Sequence, residues 1–232
     1  ANPLAEIYKK PVQATQMVVK NGQITGQQLK AWNVLLKNAK EQKDLFAMQS
    51  PSTDTRIRTY RISRKNLMEK MGYANTNRKP FKEALTKMQN LTAQWDVLRA
   101  DGNNVWTSCV LLPFVSIDND YVHYSFVEQI EPMLFESTLY SELNMDIQRS
   151  LRLDPSIRLY DWISRYRSNP GKLTAVHTWE FWRTVIHGEV DENSYLNTYK
   201  LFKRDKILPA IKEINESSDL LIELIEDKNG TR

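Results

Sequence analysis

Residues 199–226 read YKLFKRDKILPAIKEINESSDLLIELIE. Five cations and one acid lie between Tyr199 and Lys212, and the remainder of the stretch turns acidic. Leu201, Leu208, Ile211 and Ile214 fall at helical spacing, which predicts a helix with one buried stripe. SDLLIELIE then reads as a strand, and Lys228-Asn229-Gly230 as the turn of a hairpin. Pro209 sits inside the helix, where it removes the bond to the carbonyl of Asp205 and predicts a bend. A helix that is cationic at its start and leads into a hairpin suits an anionic partner at its N-terminal half.

Upstream, Thr178 caps TWEFWRTVI, Gly188 stops it, and the acidic loop GEVDENS leads to Tyr199. Before that lie a helix over Ser156–Tyr166, a break at Asn169-Pro170-Gly171 and a short predicted strand, Leu173–Val176. The first half shows the same order. Gln27–Phe46 carries Leu29, Trp32, Leu35, Leu36 and Ala39 at helical spacing, and a strand is predicted over Arg56–Ile62. Ser63 caps SRKNLMEKM, with Leu67, Met68 and Met71 inward and Gly72 as the stop. After YANTN a second helix runs from Arg78 to Leu91 with Phe81, Ala84, Leu85, Met88 and Leu91 inward. Its Pro80 falls in the first turn, where a missing N–H costs little. QWDVLRA and NNVWTSCVLLPFVSI then form a hairpin at Asp101-Gly102. Helix, turn, helix, hairpin occurs twice. This predicts an α+β chain of two tandem winged helix-turn-helix units, mainly helical with small antiparallel wings, divided as 1–143 and 144–232.

Of 232 residues, 41% are apolar and 26% charged, as in ordinary folded proteins. No apolar run approaches the roughly 18–20 residues of a membrane span, and no signal-peptide pattern opens the chain. The single cysteine, Cys109, excludes an internal disulfide framework and suits a reducing cytoplasm. The missing initiator Met and abrupt end suggest a trimmed chain. Net charge is only +4, but residues 56–99 hold 11 Lys/Arg against 3 Asp/Glu, and residues 199–212 hold 5 against 1. Two basic segments in a nearly neutral chain suggest two anionic contact sites, with solvated helix faces as the plainer reading.

Enzyme signatures are missing. No GxxxxGK[ST] or GxGxxG cradles a nucleotide phosphate. His123, His177 and His187 have no neighbouring His or Cys at metal-ligand spacing, nor the paired histidines of a rolling-circle relaxase. Glu189, Asp191 and Glu192 read as a solvated loop rather than a cation site. Cys109 reads as a core residue, and Trp179 and Trp182 as core rather than a platform for single strands. The expectation is a protein with no catalytic residues, metal or cofactor.

FKRDKILPAIKEINESSDLLIEL, together with PSIRLYDWISRY, resembles the plasmid replication initiators of the Rep_3 superfamily, the iteron-binding Rep proteins. QMVVKNGQITGQQLKAWNVLL resembles that family's opening strand and helix. The resemblance implies a cytoplasmic initiator, free of membrane, that binds directly repeated double-stranded origin DNA as a monomer. It also implies a homodimer formed through the first domain that represses its own gene at an inverted repeat, and recruitment of the host initiator and replicative helicase. Carried onto this chain, the second recognition helix supplies Lys200, Lys203, Arg204 and Lys206, with Thr198 and Tyr199 at its start. Asn77, Arg78, Lys79, Lys82 and Lys87 correspond only by place in the helix-turn-helix pattern. Arg204 suits guanine readout, and Lys200, Lys203, Lys79 and Lys82 suit phosphates. Two unlike helices in grooves roughly 34 Å apart predict a non-palindromic site about two turns long. The sequence ends at Arg232 just past the hairpin turn, so the wing's second strand and its phosphate contacts are left out. VWTSCVLLPFVSI, 105–117, reads as a strand buried on both faces, or as one that pairs in part across a dimer. The rival functions are a tandem winged-helix transcriptional regulator and a metal-dependent nicking enzyme.

Overall fold

The computed structural model describes residues 5–15, 17–49, 59–98, 104–136 and 139–227. The chain opens with β1 (Ile7–Pro11), the one-turn α1 (Val12–Thr15) and β2 (Val18–Lys20). A reciprocal cap then starts the long α2 (Gly26–Gln49). Gln28 N–H donates to Thr25 Oγ1 at 3.2 Å, and Thr25 N–H donates to Gln28 Oε1 at 2.8 Å. The predicted stripe of Leu29, Trp32, Leu35, Leu36 and Ala39 is buried.

β3 (Tyr60–Ser63), α3 (Arg64–Met71) and α4 (Arg78–Gln89) follow. Ser63 Oγ accepts from Asn66 N–H at 3.4 Å, and Gly72, at φ 85°, closes α3 in the left-handed region that favours glycine. Phe81, Ala84, Leu85 and Met88 turn inward from α4 and leave its cations outside. Arg56 and Ile57 of the strand predicted before Ser63 lie outside the described residues.

β4 (Thr92–Leu98) pairs antiparallel with β5 (Asn104–Val110), with β2 on its other side. The Asp101-Gly102 turn between β4 and β5 lies outside the described residues. β6 (Phe114–Ile117) and β7 (Tyr121–Ser125) join β3 in a separate sheet of order β3-β7-β6. Residues 105–117 are therefore not one strand buried on both faces. They divide at buried Leu111 and Leu112, next to Pro113, which has no N–H for a ladder. Trp106 (62% exposed), Val110 and Phe114 face outward.

α5 (Glu131–Phe135) leads to β8 (Tyr140–Asn144), which returns antiparallel to β1, and then to α6 (Met145–Ser150) and α7 (Asp154–Ile163). In the second unit, α8 (Trp179–Ile186) precedes α9 (Tyr199–Phe202), a π turn at Lys203–Ile207, and α10 (Leu208–Ser217). Three expectations fail here. Leu173–Val176 forms no strand; it has no ladder partner among the described residues, and Val176 is 83% exposed. SDLLIELIE, 218–226, forms no strand either. The Asn215 side chain takes the place of a neighbouring strand, donating to Ile222 O at 2.9 Å and accepting from Ile222 N–H at 2.8 Å. The buried stripe of the last helix is Phe202, Ile207, Ala210 and Ile214, while Leu208 is exposed and Leu201 and Ile211 are half-buried. The π turn inserts the extra residue that shifts this register, and Leu208 N–H bonds back to Lys203 O. Pro209, which cannot donate, follows directly.

α7 packs on α2 as well as on α8 and α10. Lys10 of β1 and Asp161 of α7 form a buried ion pair with Nζ–Oδ2 of 2.6 Å. Burial pushes the Lys10 ammonium below the ordinary lysine value, and Asp161 opposes that shift. Lys30 donates to the carbonyls of Arg149 and Leu151 at 2.8 and 2.7 Å. Gly26 permits the close approach, since a Cβ there would come within 2.5 Å of Asp154 Oδ1 and Ile157 Cδ1.

Asp161→Ala should cost about 3–5 kcal/mol of unfolding free energy, because it strands a buried cation. Lys10→Met combined with Asp161→Leu should recover most of that loss, and urea denaturation measures both.

Candidate nucleic-acid interface

Both helix-turn-helix units present the start of their second helix to solvent. On α4, Arg78, Lys79, Lys82 and Lys87 are all exposed and, with Glu83 and Thr86, line a shallow surface depression. No ion pair to these four cations exists among the described residues. Asn77 is the N-cap, and its side chain makes no capping bond. The amphipathic spacing explains this arrangement: four apolar residues take the core, and the remaining positions are left to the cations.

The second unit is built similarly and is electrostatically different. Thr198 is the N-cap of α9, again without a side-chain capping bond. Lys200 and Arg204 are exposed, while Lys203 and Lys206 are half-exposed. Arg204 grips the carboxylate of Asp205 with two bonds, Nε–Oδ1 at 2.6 Å and Nη2–Oδ2 at 2.9 Å. That contact holds the Asp205 carboxyl below the usual range and raises the guanidinium. Lys203 Nζ lies 2.5 Å from Glu226 Oε2, and the same carboxylate accepts from the Tyr199 hydroxyl. Burial, together with that bond, pushes the Tyr199 phenol up to about 12. Two of the predicted cations, Lys203 and Arg204, thus already hold internal anions.

No local pattern announces the parts that support this helix. Asn197 donates from Nδ2 to the carbonyls of Asp191 and Glu192 at 2.9 and 2.7 Å, and accepts from Arg183. Arg183 also lies over the Trp179 ring, 5.3 Å from its centroid. Trp179 in turn packs against Tyr199 and Phe202. The Asn197–Arg183 and Lys203–Glu226 contacts span 14 and 23 positions of sequence, beyond the reach of helical or strand spacing.

The remaining candidates have structural contacts. His123 bonds Asp118 at 2.9 Å, His177 stacks on Phe181 at 3.9 Å, and His187 meets Gln23 at 3.3 Å. Glu189 pairs with Lys20. No group of three or more His, Cys, Asp or Glu is placed to hold a metal among the described residues. Cys109 is half-buried, which raises its thiol. No helix among them is long and apolar enough to cross a membrane.

Two helix-turn-helix units with cations at the head of each second helix define a tandem winged-helix DNA-binding protein. The chain belongs to the Rep_3 family of replication initiators. Residues 10–164 match the family model described as Initiator Replication protein, WH1, and residues 189–232 match Initiator Rep protein, WH2. No curated protein matches the sequence. Among solved structures, the crystal structure of Pi initiator protein in complex with iteron DNA is similar, with a TM-score of 0.53 and 15% identity over 94% of each chain. At that identity the likeness is one of fold.

Asn197→Ala should lower the melting temperature of the second unit, with a loss of about 1–2 kcal/mol from the missing hydrogen bonds. His187 supplies a pH dependence. Burial, then Lys206, Arg158 and Arg183, hold its imidazolium below the ordinary value of 6.5. The unfolded chain binds that proton more readily, so stability should be fully present above about pH 6.5 and fall below it. His187→Gln should flatten that part of a melting-temperature profile.

Proposed function

We propose that this protein initiates plasmid replication by binding directly repeated origin sequences (iterons) as a monomer, one recognition helix in each of two successive major grooves. The observation that carries the reading is the pair of unlike cationic helix starts, one on α4 and one on α9. Unlike helices favour a non-palindromic element, which is what a direct repeat offers. The similar Pi structure, an initiator protein in complex with iteron DNA, agrees with this reading. Arg204 is assigned to base readout. For that it must exchange Asp205 for a guanine edge, a trade between two bidentate partners. Lys200, Lys203, Lys206, Lys79, Lys82 and Lys87 are assigned to phosphates, with Asn77, Arg78, Thr198 and Tyr199 at the two helix starts.

In the same proposal, residues 1–143 carry dimerisation and one DNA contact, and residues 144–232 carry the main iteron contact. Among the described residues β5 is an edge strand, and its exposed Trp106 and Val110 support a homodimer by strand pairing. The dimer would repress the initiator's own gene at an inverted repeat, and the monomer would recruit the host initiator and helicase. Footprinting distinguishes this from a plain regulator. Protected arrays of direct repeats beside an AT-rich segment support the initiator, and a lone inverted repeat supports the regulator. Supercoiled plasmid with Mg²⁺ should show no nicks.

Arg204→Ala should relax preference at one base pair by about 1–3 kcal/mol, read by binding-site selection. An unchanged consensus at every position would refute the assignment. Lys82→Ala should weaken binding to all sequences alike and lower the salt slope by about 1. Trp106→Lys should shift sedimentation toward the monomer without loss of fold.

A further inference from the structure

Beyond α10 the chain runs without helix or strand through residues 219–227, DLLIELIED, which hold four acids and no cation. Contacts at the start, middle and far end fasten this strap. At its start the Asp219 carboxylate grips Arg167 with two bonds, Nη1–Oδ2 at 2.6 Å and Nη2–Oδ1 at 2.7 Å, and accepts from the Tyr160 hydroxyl at 3.2 Å. In the middle Ile222 pairs with the Asn215 side chain, and Leu220, Ile222 and Leu224 pack on the core. Neither fastening involves a residue assigned to DNA. The far end is different. There Glu226 reaches the head of α9, where Oε2 accepts from Lys203 Nζ and Oε1 from the Tyr199 hydroxyl.

That last fastening has the chemistry of a phosphate contact. Tyr199 and Lys203 are four positions apart, so they share one face of the helix, and the Lys203 ammonium lies 6.0 Å from the Tyr199 ring centroid. A hydroxyl and an ammonium there converge on two oxygens of one anion, and a DNA phosphate offers the same acceptors to the same donors. The Lys203 and Glu226 side chains are 30% and 35% exposed, so the pair lies open to a polyanion in solvent. Opening an ion pair this exposed costs little. The greater obstacle is the carboxylate left behind, a like charge held against the duplex backbone. We infer that Glu226 is a specificity-determining residue, an internal phosphate mimic that holds Lys203 and Tyr199 until a cognate duplex displaces it. This rests on the proposed reading of the α9 segment as a recognition helix. Random duplex is then bound without Lys203. Cognate duplex is bound with it, because a base edge seated at Arg204 offsets the displaced carboxylate.

The test uses the full chain and two probes, a duplex recovered by binding-site selection and a scrambled duplex of equal length and composition, each titrated across salt concentrations. Glu226→Gln removes the charge at nearly constant volume, and the fastenings at Asp219 and Asn215 should preserve the circular dichroism. It should tighten scrambled-duplex binding about two- to fivefold and steepen the log–log salt slope by about 1, as one more phosphate contact requires. The selected duplex should gain less, so the ratio between the two falls. Glu223→Gln removes an equal charge from an exposed position on the same strap and should leave the slope unchanged. Lys203→Gln decides the matter if Glu226→Gln does not fold. With Glu226 in place, it should lower the selected-duplex slope by about 1 and leave the scrambled-duplex slope as it was. Equal effects of Glu223→Gln and Glu226→Gln overturn the inference, and so does a Lys203→Gln variant that lowers both slopes alike. Either result leaves the proposed function standing. Wild-type chain that binds neither duplex overturns both.

Discussion

Deep between β1 and α7, a lysine ammonium and an aspartate carboxylate meet at 2.6 Å with almost no contact with water. Either charge alone in that place would be prohibitively desolvated, so neither element can leave without exposing or stranding the other. β1 is held antiparallel to β8, and α7 is pressed onto α2 at the glycine that opens it. This ion pair fastens α7 to the strand that opens the chain.

The two cationic helices are not equivalent within that frame. On α4 the cations are unpaired among the described residues, which favours general attraction to a polyanion. On α9 and the π turn, Arg204 and Lys203 hold Asp205 and Glu226. Under the proposed reading, an internal anion would compete with phosphate for each cation, which would lower non-specific affinity and leave binding more dependent on a well-placed base edge. The π turn contributes geometrically. It sets the buried stripe to Phe202, Ile207, Ala210 and Ile214 and so fixes which side of Lys203–Lys206 faces solvent.

Periodicity and punctuation settled a large part of this protein in advance. Ser63, Gly72, Thr178 and Gly188 bracket helices through contacts three to five residues away, and the apolar stripes of α2 and α4 follow from 3.6 residues per turn. The cations at the heads of α4 and α9 were equally legible, as the polar remainder of those stripes. Such features depend on neighbours in the chain. Tertiary structure alone decided the rest, because those features depend on partners that sequence distance hides. A strand exists only where another offers its edge, so Leu173–Val176 and 218–226 stay unpaired and 105–117 divides between two sheets. The Lys10–Asp161 pair spans 151 positions. Local physics fixed the helices and their charges, and long-range burial fixed where each was held.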